Sequence, residues 1–128
     1  GLAQLKRIEW MWQRRLEIAI KYNDAFLKTQ IKPVIVKNDR ESAWHLYVIK
    51  VNNRDELIKK LKEDGIGTSV HFIPVHKHPY YKNTFGYDEK NFPVANSVFE
   101  KCVSLPIYPG MKSDEQEFVI ERVLKYAR

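Results

Sequence analysis

Gly65-Ile66-Gly67-Thr68-Ser69-Val70-His71-Phe72-Ile73-Pro74-Val75-His76, followed at once by Lys77-His78-Pro79-Tyr80-Tyr81, decides how the rest of the chain is read. A helical pattern stops at Gly65, and Val70 and Phe72 then alternate with Ser69, His71 and Ile73, which predicts a strand over 68–73. Pro74 ends that strand, because proline cannot donate to a ladder. Beyond it lies a loop crowded with imidazoles and phenols, predicted to run to Phe92. Long ordered loops in small domains are disproportionately functional.

Immediately upstream, Asn53-Arg54-Asp55-Glu56 opens a helix, with Asn53 as N-cap and Glu56 placed to reach back. Leu57, Ile58 and Leu61 mark its inward face. Gly65 can take the left-handed conformation that ends it, letting Ile66 fold over its last turn. Before this helix, 44–51 (Trp-His-Leu-Tyr-Val-Ile-Lys-Val) is apolar on both alternating faces and predicts an interior strand covered on both sides. Val34-Ile35-Val36 predicts another short strand inside a polar connector over 29–43.

At the start of the chain, Leu5, Ile8, Trp12, Leu16, Ala19, Tyr22 and Phe26 form one helical stripe over 2–27. Trp10, Met11, Ile18 and Ile20 lie off it. Trp10 and Trp12 stand about 200° apart on a helix, so they cannot both face one core. A helix apolar on two sides packs between two bodies, which predicts a second body or a second subunit against it.

Downstream, Pro93 suits a first helical turn, and Val94, Val98, Phe99 and Cys102 continue the helix. Val103-Ser104-Leu105 predicts a strand. Ser113-Asp114-Glu115-Gln116 reads as a capping box for a last helix buried through Val119, Ile120, Val123, Leu124 and Ala127. The predicted fold class is α/β of the α+β two-layer kind: a small antiparallel sheet of three to four strands packed with helices, behind a long N-terminal helix, all in one domain over 1–128.

The net charge is +6, from 22 Lys and Arg against 16 Asp and Glu. Such a balance suits an anionic partner. Acidic residues interrupt every basic cluster, however, and no run of five like charges occurs, so a nucleic-acid arm is disfavoured. Cys102 is the only cysteine, which excludes an internal disulfide and fits a reducing compartment. It reads as a small core hydrophobe. No apolar run approaches membrane-spanning length, and the first residues lack the order of a signal peptide. The expected location is cytoplasmic, with neither nucleic acid nor membrane as partner. The chain begins without Met with its helical pattern already running, so a start inside a longer sequence is expected.

The central stretch fits none of three familiar chemistries. His71, His76 and His78 lack the neighbouring carboxylates that ligand sets bring, which opposes a metal site. Ser69 and His71 point the same way from a strand, yet extended geometry keeps their Cβ atoms about 6–7 Å apart, and no glycine-rich elbow surrounds Ser69. Gly65-Ile66-Gly67 precedes a strand, whereas a dinucleotide fingerprint follows one. What remains is a surface of His76, His78, Tyr80, Tyr81, Phe85 and Tyr87, able to stack on rings and hydrogen-bond hydroxyls. The alternative is that Tyr80, Tyr81 and Phe85 only plug the loop onto the sheet.

The segment 65–76, with Pro79-Tyr80-Tyr81 after it, resembles the nucleotide-sugar aminotransferases of the DegT/StrS type, pyridoxal-phosphate (PLP) enzymes of fold-type I. Gly1-Leu2-Ala3-Gln4-Leu5, Arg14-Arg15, Tyr22-Asn23, Trp44-His45-Leu46-Tyr47-Val48, Phe92-Pro93-Val94-Ala95 and Ser104-Leu105-Pro106-Ile107-Tyr108-Pro109 agree in order and spacing. The likeness is to the family's C-terminal small domain. It implies a domain that closes over a keto nucleotide-sugar, with His71 and Phe72 against the substrate and His76, Tyr80 and Tyr81 nearby. The family's cofactor lysine, its acid for the pyridine nitrogen and its phosphate-binding groups have no counterpart in these motifs. This polypeptide is therefore expected to bind no cofactor and to carry no catalytic residue of its own, PLP belonging to the parent enzyme. The implied partners are the large PLP-binding domain and a second subunit, the latter meeting the N-terminal helix. Two rivals stand beside this reading: a basic module binding nucleic acid, whose affinity would fall steeply with salt, and a stand-alone interaction domain.

Overall fold

The computed structural model describes residues 1–128. Its centre is a three-stranded antiparallel sheet in the order β1 (Lys32–Pro33), β2 (Tyr47–Lys50), β3 (Cys102–Leu105). Tyr47 pairs with Leu105, Val48 with Ser104, Ile49 with Val103 and Lys50 with Cys102. This register puts Tyr47, Ile49, Val103 and Leu105 on one face, where they join the buried cluster. Helices α2 (Ile8–Phe26), α3 (Arg54–Glu63) and α6 (Ser113–Tyr126) add Ile18, Ala19, Tyr22, Phe26, Leu57, Leu61, Val119 and Val123 to that core, and Ile31, Val51, Ile66 and Met111 join it from the connections. A short α1 (Leu2–Leu5) precedes α2.

α2 is tied in by both rings and polar groups. Tyr22 stacks on Phe26, with centroids 5.9 Å apart, and lies 4.7 Å from Tyr47 of the central strand. The Tyr22 hydroxyl donates to the Pro106 carbonyl at 2.9 Å. Gln116 of α6, itself buried, donates through Nε2 to the Ile18 carbonyl at 2.8 Å, which joins the two helices inside the core.

The end of α3 follows from sequence. Gly65 has φ +77°, the Ile66 amide reaches back to the Leu61 carbonyl at 2.8 Å, and the Gly65 amide reaches Lys62 at 3.0 Å. Ile66 is buried over the last turn, completing the Schellman arrangement. A Cβ at Gly65 would meet nothing within 4 Å, so Gly65→Ala is expected to cost only the left-handed backbone strain, about 1–2 kcal/mol. A urea titration of the variant checks this.

Several elements differ from their sequence patterns. The strand expected over 68–73 reduces to a single bridge between Ser69 and Ser104. Counting on from that bridge, Val70 and His71 would face Val103 and Cys102 of β3 and do not pair with them, while the partners of Phe72 and Ile73 would be Lys101 and Glu100. Those last two lie in α5 (Pro93–Lys101), so no ladder could run beyond His71. The expected loop 74–92 is largely helical: a 3-10 turn at Val75–Lys77, α4 (Pro79–Phe85) and a second 3-10 turn at Glu89–Asn91.

The first helix breaks at Lys6–Arg7, and Leu2, Leu5 and Ile8 at its open end are exposed while Ile18, expected off the stripe, is buried. The strand near Val34 sits two residues earlier, with Pro33 on the sheet edge where no amide is needed. β2 is buried on one face and only half-buried on the other, where α5 and the 71–74 segment leave a crevice over Val48. The capping box of α6 starts one residue early: the Lys112 amide donates to Glu115 Oε2 at 2.8 Å, and Ser113 Oγ instead meets Lys21 and Glu117. Asn53 precedes α3 but spends its side chain on the C-terminus, donating to the Tyr126 carbonyl and accepting from the Arg128 amide, each at 2.8 Å. Leu124 is exposed.

Candidate functional site

With the ladder lost after Ser69, the backbone is free to fold, and Phe72 takes φ +47°. A bulky side chain in the left-handed region is strained by about 1–3 kcal/mol. Its ring is 90% exposed, so no burial in this chain offsets the strain. His71 lies beside it, ring centroids 6.2 Å apart, and its Nε2 meets Ser69 Oγ at 3.1 Å. The Cβ separation expected from an extended strand therefore does not keep the two side chains apart. Nδ1 of His71 has no hydrogen-bond partner within the chain, and the residue is exposed.

His76 is placed differently. It is 5% exposed, stacked on Phe92 at 4.4 Å, with Nε2 2.7 Å from Asn96 Oδ1. The Asn96 amide nitrogen donates to the Glu89 carbonyl at 2.6 Å, which fixes Oδ1 as the acceptor and His76 Nε2 as the donor. His78 Nε2 donates to the Ile73 carbonyl at 3.2 Å. Tyr80 and Tyr81 are exposed on α4 and meet edge to face at 5.3 Å. From there rings run without interruption through Tyr81–Phe85 (6.1 Å), Phe85–Tyr87 (5.6 Å) and Tyr87–Phe92 (5.4 Å) back to His76.

Two groups thus emerge: the exposed His71–Phe72 pair, and an aromatic ladder that joins Tyr80 and Tyr81 to the buried His76. A latch holds the ladder's return. Lys77 Nζ lies 2.7 Å from Glu89 Oε2, and this hydrogen bond holds the Glu89 carboxyl below the usual range. Asn96 was not singled out from sequence, and Phe92 was read only as the loop's end and part of a family stretch, not as a partner of His76. Their separation from His76 by 16 to 20 positions left no local signal.

Under the His71–Phe72 loop, the α5 side of the sheet carries a crevice of about 320 Å³, walled by Val48, Val98 and Phe99 and floored by Ser104 and Cys102. Burial pushes the Cys102 thiol up, away from the reactive thiolate. No three His, Cys, Asp or Glu side chains gather into a metal-binding group. No helix is long and apolar enough to cross a membrane.

Pyridoxal phosphate needs a lysine in a closed cavity, an acid for the ring nitrogen and donors for its phosphate. The lysine-lined concavity here, between β1, β2 and α5, holds Lys32, Lys50 and Lys101 with no acid and no aromatic ring. These residues do not fit the cofactor.

The spore coat polysaccharide biosynthesis protein SpsC of Bacillus subtilis is 49% identical over 96% of this chain and 34% of its own length. The dTDP-3-amino-3,6-dideoxy-alpha-D-galactopyranose transaminase of Aneurinibacillus thermoaerophilus is 36% identical over 89% of this chain and 31% of its own. The Spr1654 chain of Streptococcus pneumoniae superposes in its apo form with a TM-score of 0.88 at 34% identity, covering 95% of this chain and 32% of that one. Its PMP and PLP forms both give 0.87. This chain thus spans about a third of the length of the relatives it matches. Residues 1–124 match the model of one family, and the chain belongs to it: the DegT/DnrJ/EryC1/StrS aminotransferase family.

Proposed function

We propose that this chain is the C-terminal, substrate-capping domain of a cytoplasmic PLP-dependent aminotransferase. The parent enzyme moves an amino group from an amino acid, glutamate, onto a keto nucleotide-sugar destined for amino-sugar or cell-surface polysaccharide synthesis. The observation that carries the reading is Phe72, strained at φ +47° and 90% exposed beside His71. Strain held at an exposed ring points to a surface shaped for something outside this chain. The Phe72 ring suits the apolar face of a sugar, and the free His71 Nδ1 suits a sugar hydroxyl or a diphosphate oxygen. Tyr80 and Tyr81, at the head of the separate aromatic ladder, are read as a second contact for the same substrate, with His76 fixing the ladder behind them. The cofactor chemistry belongs to a large domain outside this chain, and a second subunit meets the exposed side of α2.

The test joins this chain to the cofactor-binding part of SpsC. The chimera is expected to aminate a keto nucleotide-sugar with glutamate as donor, while the 128-residue chain alone does nothing. His71→Ala combined with Phe72→Ala is expected to lower kcat/KM at least about tenfold, the loss of one modest contact. Equal activity in the parental and doubly substituted chimeras would defeat the capping role.

A further inference from the structure

Lys50 follows Ile49 of the core in β2, so its side chain leaves from the opposite face of the sheet. The β1–β2 register sets Lys32 directly across from it on that face. Like charges directly opposite in an antiparallel pair repel. Lys101, the last residue of α5, adds a third ammonium to the concavity of about 480 Å³ that Lys32 and Lys50 line. Gln30, Asn52 and Ser97 line it too, and no Asp, Glu or aromatic side chain does.

The half-buried lysines of this chain are Lys21, Lys50, Lys60, Lys77 and Lys101. Lys21 lies 2.7 Å from Glu117 and Lys77 lies 2.7 Å from Glu89. Lys60 sits 5.7 Å from the centroid of the Tyr126 ring. Lys50 and Lys101 have neither a carboxylate nor a ring, and they are the two that share the concavity. A partly desolvated ammonium without a counter-charge carries a cost that an anion removes. The C-terminus of α5 supplies about half a negative charge, against three ammonium groups. The protein therefore leaves this row positive.

The lining also selects among anions. Lysine binds as a compact point charge with three donors, whereas planar carboxylates match the arginine fork. No arginine lines the concavity. Without an aromatic wall, nothing there stacks on a base or covers a sugar ring. Three ammonium groups beside the amides of Gln30 and Asn52 and the Ser97 hydroxyl suit a compact oxyanion of several charges, as a condensed phosphate is.

We propose that the concavity of Lys32, Lys50 and Lys101 binds free condensed phosphate, pyrophosphate being the smallest such ion, at a site separate from the His71–Phe72 surface. Of its lining residues only Val98 also lines the crevice beneath that loop. The bound anion bridges β1, β2 and the end of α5, replacing the repulsion between Lys32 and Lys50 with a shared counter-charge. That pins the edge strand of the sheet. The site is independent of the capping role and stands or falls without it.

The test is a titration of this chain with pyrophosphate at fixed ionic strength, read by amide NMR and by the thermal midpoint. Saturable binding is expected, with the Lys32, Lys50 and Lys101 amides moving together and the midpoint rising with ligand. Orthophosphate, and citrate as a carboxylate ligand, are expected to bind at least about tenfold more weakly, the effect of losing one charged contact. The combined K32Q, K50Q and K101Q variant removes a repulsive pair, so it is expected to keep the fold and to lose at least about tenfold in pyrophosphate affinity. K50Q alone is expected to weaken binding less, in the same direction. The combined K37Q, K59Q and K62Q variant removes as much charge at exposed lysines outside the concavity, and solvent screening should hold its affinity within about twofold. In the chimera, the K32Q, K50Q and K101Q changes are expected to leave kcat/KM for amination unchanged. Equal losses in the two triple variants would reduce the effect to net charge, and citrate binding as tightly would remove the phosphate class. Amination lost with the three lysines would return them to the substrate. Each of these results overturns the proposal. A chimera that binds pyrophosphate here and aminates nothing sinks the capping role and leaves this site standing.

Discussion

Phe26→Ala is expected to lower the free energy of unfolding by about 3–5 kcal/mol, the range for removing a buried ring that its neighbours cannot replace. Phe26 is 1% exposed near the end of α2 and stacks at 9° on Tyr22, which in turn packs against Tyr47 of the central strand. Removing the first ring leaves a cavity at the point where helix and sheet are joined. The sheet cannot close over it, because Tyr22 is held by its hydrogen bond to Pro106 and Tyr47 by one to Asn23 Oδ1 at 2.7 Å. Domains of this size are stable by about 5–15 kcal/mol, so the loss is a large fraction of the total. With a urea slope of about 2 kcal/mol per molar, the midpoint should fall by about 2 M at an unchanged slope. Ile35→Ala, at a position 88% exposed, is the matched control and should stay within about 0.5 kcal/mol. A loss below about 1 kcal/mol at Phe26 would mean that α2 does not anchor the core through this ring.

That joint also explains which parts of the fold could be read before any coordinates. The end of α3 at Gly65 and Ile66 is legible because every atom of the motif lies within six residues, Leu61 to Ile66. The buried stripe of α2 was legible from Ala19 to Phe26, where the core covers it, and failed at Leu5 and Ile8, which face nothing in this chain. Residues 68–73 alternate as a strand should, yet the handover from α5 to β3 leaves no strand partner for Phe72 or Ile73, and only Ser69 pairs. α4 had a signal that aromatic density obscured: Pro79 at its first position and Gly86 at φ +64° after its last.

The candidate site divides on the same line. His71 and Phe72 could be singled out from their neighbours, but the left-handed turn at Phe72 is a consequence of the lost ladder and has no residue-level signature. The burial of His76 depends on Phe92 and Asn96, and no local pattern links them. The lysine row depends on register: Lys32 and Lys50 are unremarkable surface residues until β1 and β2 set them face to face. Local chemistry was written in the order of residues, while the meeting of distant groups was settled by the sheet.

Raising the pH above about 10 is expected to destabilise the domain through two buried phenols. Tyr22 and Tyr47 are both closed off from solvent, and each donates its hydroxyl to an oxygen that can only accept, Pro106 O and Asn23 Oδ1. A phenolate in either place would face an acceptor without a proton between them. Burial pushes both groups above the ordinary tyrosine value, and at Tyr22 the nearby phenols of Tyr47 and Tyr108 add to it. In the unfolded chain the same tyrosines ionise near pH 10. Above that pH the unfolded state binds fewer protons than the native one, so stability falls as pH rises. The contribution is complete below about pH 10 and is lost progressively above it, each phenol approaching about 1.4 kcal/mol per pH unit. Two such groups remove about 3 kcal/mol by pH 11, comparable to the Phe26 substitution. Urea midpoints measured from pH 8 to 11 should fall with this slope. The combined Tyr22→Phe and Tyr47→Phe variant starts lower, by about 1 kcal/mol per hydrogen bond lost, and should then show a much flatter alkaline limb. Parallel limbs for the two proteins would place the alkaline sensitivity in the lysines and remove the buried phenols as its cause.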